Sequence, residues 1–181
     1  MGLFDGQTVV CVASGSSLTK EQCDVVRRSG AATIAVNNAW QLADFAQHLY
    51  ASDYAWWSEY RAGVTIPAQR WTNNVKASDD FGLGLHRRKV SDHHSGLMAV
   101  LFALDNGADK VLLLGYDCRN TLTTHFHGDH KRLSNPSDDR CRAFVQQFKL
   151  NCSAYADRIV NCTPKSALKQ FQIASIEEIL C

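Results

Sequence analysis

The stretch Thr8-Val9-Val10-Cys11-Val12-Ala13-Ser14-Gly15-Ser16-Ser17-Leu18 decides the fold. Its first six residues form a continuous run rich in β-branched side chains. Such a run, followed by small residues, suits a strand covered on both faces. Ser14-Gly15-Ser16-Ser17 then reads as a tight turn, and Thr19 opens a helical pattern that ends at Ser29, before Gly30. A small-residue turn lets backbone come close to a ligand, and a helix N-terminus offers free N–H groups to an anion. The turn lacks the Gly-x-Gly-x-x-Gly spacing of dinucleotide folds and the Gly-Lys-Ser/Thr of a P-loop. A plain strand-to-helix turn with a serine cap is the competing reading.

Further out, Thr33-Ile34-Ala35-Val36 and Lys110-Val111-Leu112-Leu113-Leu114-Gly115 repeat the buried-strand pattern. His48–Ala51 and Arg158–Asn161 are weaker strand candidates. Helical patterns cover Thr19–Ser29, Asn38–Gln47, Ser95–Asn106 and Asp138–Ala156, with two short helices expected at Ser166–Phe171 and Ile176–Leu180. Strands alternating with helices imply an α/β fold, Rossmann-like, three-layer α/β/α with a mainly parallel sheet. The expected organisation is one domain over residues 1–181. Residues 61–94 are the least periodic and read as an insertion or lid, with a poorly marked strand near Arg70–Asn73.

The chain has 181 residues, a size at which one core suffices. A net charge of +1 gives no broad electrostatic case for duplex nucleic acid or an anionic membrane. No apolar run reaches the roughly 20 residues needed to span a bilayer. The first residues lack the basic and apolar regions of a secretory signal. Seven cysteines without a Cys-x-x-Cys pair read as reduced, mostly buried thiols. The expected location is therefore the cytoplasm, with a homo-oligomer left open.

Several segments carry candidate chemistry. Gly15, Ser16 and Ser17 form the first turn. Asn37 and Asn38 follow the second strand; Asn38 suits a helix cap, which leaves Asn37 as the better ligand contact. Asp53 precedes Trp56-Trp57, an acid and two indoles that either bind a hydroxyl and stack on a ring or cap and fill a short helix. Ser95 and Gly96 open a helix, with Ser95 as the natural cap and phosphate as a possible partner. Tyr116 and Asp117 follow the most apolar strand, where ligand crevices of parallel sheets lie. Finally, Thr124-His125-Phe126-His127-Gly128-Asp129-His130 holds a His-x-His-x-Asp-His cluster. On an extended segment His125 and His127 share a face, with Asp129 and His130 near enough to join them. Such a set suits a divalent metal such as zinc. Equally, His125, His127 or His130 can serve as a general base, with Asp117 nearby.

Gly-Ser-Ser-Leu after the first strand, Val-Asn-Asn after the second, Tyr-Ala-Ser-Asp, Ser-Gly, Leu-Leu-Gly-Tyr-Asp and His-Phe-His-Gly-Asp-His together resemble small tailed-bacteriophage proteins known as norphogenetic proteins. That resemblance covers nearly the whole chain and implies expression inside an infected host cell. The layout is more distantly similar to bacterial sialyltransferases that use CMP-sialic acid, and to pterin pyrophosphokinase-like domains. The sialyltransferase resemblance implies a nucleotide or nucleotide-sugar ligand. It implies phosphate near Gly15, Ser16, Ser17 and Tyr116, a nucleotide on Asn37, and base or phosphate contacts at Ser95 and Gly96. One of the three histidines would be the base. Ser16 stands where that family has proline, and the chain is shorter.

The expectation is a glycosyltransferase-like enzyme with a nucleotide-activated donor. A metal-dependent hydrolase or phosphoesterase on the histidine cluster, and a non-catalytic nucleotide-binding or virion assembly protein, are the alternatives.

Overall fold

The computed structural model describes residues 2–119, 125–128, 133 and 135–181. Eight strands form one sheet: β1 (Thr8–Val12), β2 (Ala32–Val36), β3 (His48–Tyr50), β4 (Gln69–Thr72), β5 (Gly84–Leu85), β6 (Lys110–Leu114), β7 (Ile159–Asn161) and β8 (Gln172–Ile173). Their order is β5-β4-β3-β2-β1-β6-β7-β8, and every neighbouring pair is parallel. The described residues also form six α-helices, α1 (Lys20–Ser29), α2 (Tyr54–Tyr60), α3 (Val75–Phe81), α4 (Ser95–Asp105), α5 (Asp138–Cys152) and α6 (Ile176–Leu180).

Alternate residues of β1 point into two separate cores. Val9 and Cys11 pack with α4 and α5, through Leu97, Leu101 and Phe148. Val10 and Val12 pack with α1, α2 and α6, through Val26, Trp57 and Ile176. The result is a three-layer α/β/α sandwich of Rossmann-like form, as the alternating pattern requires. No helix of the described residues is long and apolar enough to cross a membrane.

β1 lies between β2 and β6. The chain winds from β1 toward β5 on one side, then returns to place β6 on the other. Strand order therefore reverses at the β1/β6 boundary, the switch point at which open parallel sheets form a crevice. α4 is the segment that makes the return. Leu97 through Leu104 are all buried, and the helix packs on β1, β2, β6 and α5. A helix apolar on all sides belongs between two layers.

The structure departs from the sequence reading in five places. Asn38–Gln47 is not an α-helix; a short 3-10 turn covers Asn37–Gln41. Asn38 caps nothing there, because its Oδ1 accepts from Trp56 Nε1 at 3.0 Å. α5 ends at Cys152 and continues to Arg158 as a 3-10 turn. Ser166–Phe171 contains no helix, and β8 follows it directly. The stretch read as an insertion or lid instead supplies a 3-10 turn at Arg61–Gly63, α3, β5 and β4, the last where a poorly marked strand is expected near Arg70–Asn73. These short strands carry mixed sequences such as Gln69-Arg70-Trp71-Thr72, so no apolar run betrays them.

Candidate functional site

The carboxyl ends of β1, β2 and β6 open into a cleft with two compartments. The inner one, about 120 Å³, is lined by Ser14, Gly15, Asn37, Tyr116, Asp117 and Phe144, among others. The outer one, about 530 Å³, is lined by Asp53, His93, Ser95, Ser137 and Arg140 with their neighbours. Asn37, His94, Gly96, His125, Pro136 and Phe144 border both. The outer volume lies within the range of small-molecule sites. Segments near residues 15, 37, 53, 95, 117 and 125 thus meet although far apart in sequence.

The β1–α1 turn is closed on itself. Asp117, 5 % exposed, accepts from Ser17 Oγ at 2.9 Å and from Ser17 N at 3.4 Å. Gly15 N donates to Gly115 O, and Ser14 Oγ donates to Val36 O. A Cβ on Gly15 would stand 1.8 Å from Asp117 Oδ2 and 2.4 Å from Gly115 O, so only glycine fits. The first turn of α1 is also occupied, since Thr19 and Gln22 form a reciprocal capping box. Here a carboxylate of the chain takes the donors that the sequence suggested for a phosphate. Asp117 is thereby a clamp on the turn, and neither Ser16 nor Ser17 lines the cleft.

The start of α4 is different. His94, not Ser95, is the N-cap: its Nδ1 accepts from Leu97 N at 3.3 Å. Ser95 Oγ accepts instead from Ser52 N at 3.0 Å, which ties α4 to the end of β3. Tyr116, 2 % exposed, donates through its hydroxyl to Gly96 O at 3.1 Å, so it braces α4. Burial raises its hydroxyl far out of the working range. The first N–H groups of a helix have no intrahelical acceptor, and Ser95 and Gly96, which open α4, border the cleft. Arg140 of α5 lines the same wall, pairs with Asp92 at 2.5 Å and lies over the Phe144 ring.

Asn37 sits at the end of β2 with φ of +50°, a left-handed conformation that asparagine tolerates better than most residues. Its buried Oδ1 has no hydrogen-bond partner among the described residues, and the same is true of His94 Nε2. Asp53 is exposed at the mouth and precedes α2 without a side-chain cap bond. Trp56 and Trp57 are 2 % and 0 % exposed and belong to the core, although Trp56 also borders the outer compartment.

His125 is held against the first turn. It bridges to Gly15, and Phe126 N donates to Ser14 O at 3.2 Å. The His125 and His127 rings stack at 5.1 Å, and only His125 lines the cleft. Asp129 and His130 lie outside the described residues. Among the described residues, no group of three His, Cys, Asp or Glu side chains is arranged to hold a metal. Cys118 lines the inner compartment, where burial raises its thiol strongly, so it is a poor nucleophile.

The sequence reading names neither Phe144 nor Arg140, and it takes Ser95 for the cap in place of His94, the residue immediately before it. No protein-family model, curated protein or solved structure matches the chain.

Proposed function

We propose that the cleft binds a nucleotide or nucleotide-activated sugar, and that the protein is a transferase acting on such a donor. The observation that carries this reading is the meeting of the β1, β2 and β6 ends with the start of α4 in one two-part cleft at the switch point of a parallel sheet. The start of α4 and Arg140 offer donors to a phosphate. Asn37 offers a buried acceptor to a hydroxyl or amino group. The outer compartment has room for a sugar.

In the chemistry that follows, an acceptor hydroxyl attacks the anomeric carbon of the donor sugar. The bond from that carbon to the phosphate oxygen breaks, and the nucleotide leaves with both electrons. His125 takes the hydroxyl proton. Donors at the α4 start and Arg140 stabilise the charge gathering on the departing phosphate.

The test is a melting series with nucleoside monophosphates and nucleotide-sugars of each base. A binder at a hundred times its Kd adds about 2.7 kcal/mol, which raises Tm by roughly 5–10 °C in a chain of this size. His125→Ala retains that shift and abolishes turnover of the donor. A flat series across every ligand rejects the reading.

A further inference from the structure

His94 has no part in the proton transfer above, yet the fold fixes it with unusual care. Its Nδ1 accepts from the Leu97 N–H, so that nitrogen carries the lone pair. In the neutral ring the proton then sits on Nε2. The ring lies 4.1 Å from Phe144 and 5.4 Å from Phe148. A Cβ on Gly96 would come within 3.3 Å of Nδ1, so the glycine makes room for the imidazole. Nε2 is buried and has no acceptor among the described residues. A buried donor left unpaired is costly, and such groups ordinarily find a partner.

The surroundings also keep the ring uncharged. Burial is the main cause, followed by the charges of Arg140 and His93, with only Asp92 opposing; together they push its pKa down to about 3. The positive end of α4 acts in the same direction. A neutral imidazole at a helix N-terminus is a donor whose strength does not change across physiological pH. Beside it stand the start of α4, at Ser95 and Gly96, and the Arg140 guanidinium, which also pairs with Asp92. Donors converging on one spot fit an oxyanion.

We propose that His94 is a ligand-binding residue whose Nε2–H donates to a phosphoryl oxygen, placing the phosphate subsite at the start of α4 instead of at the β1–α1 turn. This rests on the nucleotide reading above and adds where the phosphate goes and which residue, hitherto unassigned, holds it.

Two substitutions separate the nitrogens. His94→Asn keeps an acceptor in the capping position, because asparagine is a good N-cap, and deletes the Nε2 donor. His94→Gln keeps an amide donor near the Nε2 position and weakens the cap. Titration calorimetry would use the wild-type chain and both variants, each with a nucleoside monophosphate and with the matching nucleoside. For His94→Asn the monophosphate affinity falls roughly 10- to 100-fold, nucleoside affinity is unchanged, and Tm stays near that of wild type. For His94→Gln the monophosphate affinity is largely kept while Tm falls by roughly 2–4 °C. Nitrogen-detected NMR of the wild-type ring shows the Nε2–H tautomer unchanged between about pH 5 and pH 8.

Equal monophosphate binding by wild type and His94→Asn overturns the assignment and leaves the nucleotide reading standing. So does an equal loss with the nucleoside, or a ring that is protonated on Nδ1. Failure of the wild-type chain to bind any nucleotide overturns both.

Discussion

Two strand-to-helix junctions border the same cleft and have opposite character. The β1–α1 turn has the small residues associated with phosphate loops, yet Asp117 and the Thr19–Gln22 box already occupy its donors. The α4 start has a less familiar sequence, His94-Ser95-Gly96, and keeps an unused donor on His94. Small residues allow close approach of whatever comes near. In one junction that neighbour is the chain's own carboxylate; in the other it is the His94 ring, whose Nε2 keeps no partner among the described residues. Composition alone does not separate the two, because the difference lies in partners that arrive from distant sequence.

The contrast can be broken or sharpened experimentally. The largest effect is expected at Gly15→Ala. The added methyl meets Asp117 and the Gly115 carbonyl, and the backbone oxygen cannot swing aside. Overpacking of this kind costs about 3 kcal/mol, and thermal melts should show Tm lower by roughly 6–12 °C. A near-normal Tm would mean the turn is looser than described.

Asp117→Asn should cost less, about 1–2 kcal/mol, since an amide still accepts from Ser17 with weaker bonds. Its nucleotide affinity, measured by calorimetry, should stay at or above that of wild type, because the closed turn holds no phosphate. A tenfold loss of affinity would instead place the ligand on that turn.

A third effect is in the pH dependence and grows only as the solution is acidified. His94 has its folded pKa depressed to about 3 from an ordinary 6.5, and burial lowers His48 and His86 as well. Below the ordinary value the unfolded chain takes up protons that these folded rings refuse. Stability is therefore full above about pH 6.5 and declines as pH falls toward the folded values. Denaturant melts should trace that decline, and His94→Asn should make it shallower. An identical slope in the variant would show that His94 is not kept neutral by folding.

Much of this architecture was legible in the sequence. β1, β2 and β6 are central strands buried on both faces, so their apolar runs needed no partner to be recognised. α1 was equally clear from Thr19 and Gly30 at its two ends. β4, β5 and β8 lie toward the sheet edges, are two to four residues long and have half-exposed or exposed faces. Nothing periodic marks them. At the site, position was readable and role was not. Asn37 and Tyr116 line the cleft, as residues past strand ends should, and so does Gly96 at the start of α4. That Asp117 faces Ser17, that Tyr116 braces Gly96, and that His94 displaces Ser95 as the cap are tertiary facts. Serine outranks histidine as a cap on local preference. Here Ser52, arriving from the end of β3, draws the Ser95 hydroxyl away.

The register of β1 on β6 has a kinetic meaning. Thr8 lies opposite Lys110, and Val12 opposite Leu114. This pair inside the sheet thus unites residues about a hundred positions apart, and loop closure over that span must precede their pairing. During synthesis β1 and β2 leave the ribosome long before β6. A nascent chain halted short of Lys110 would have β1 open along one edge and one wall of the cleft unmade. Ligand capture would then report completion of the sheet's centre, and a pulse of ligand during refolding would time that event.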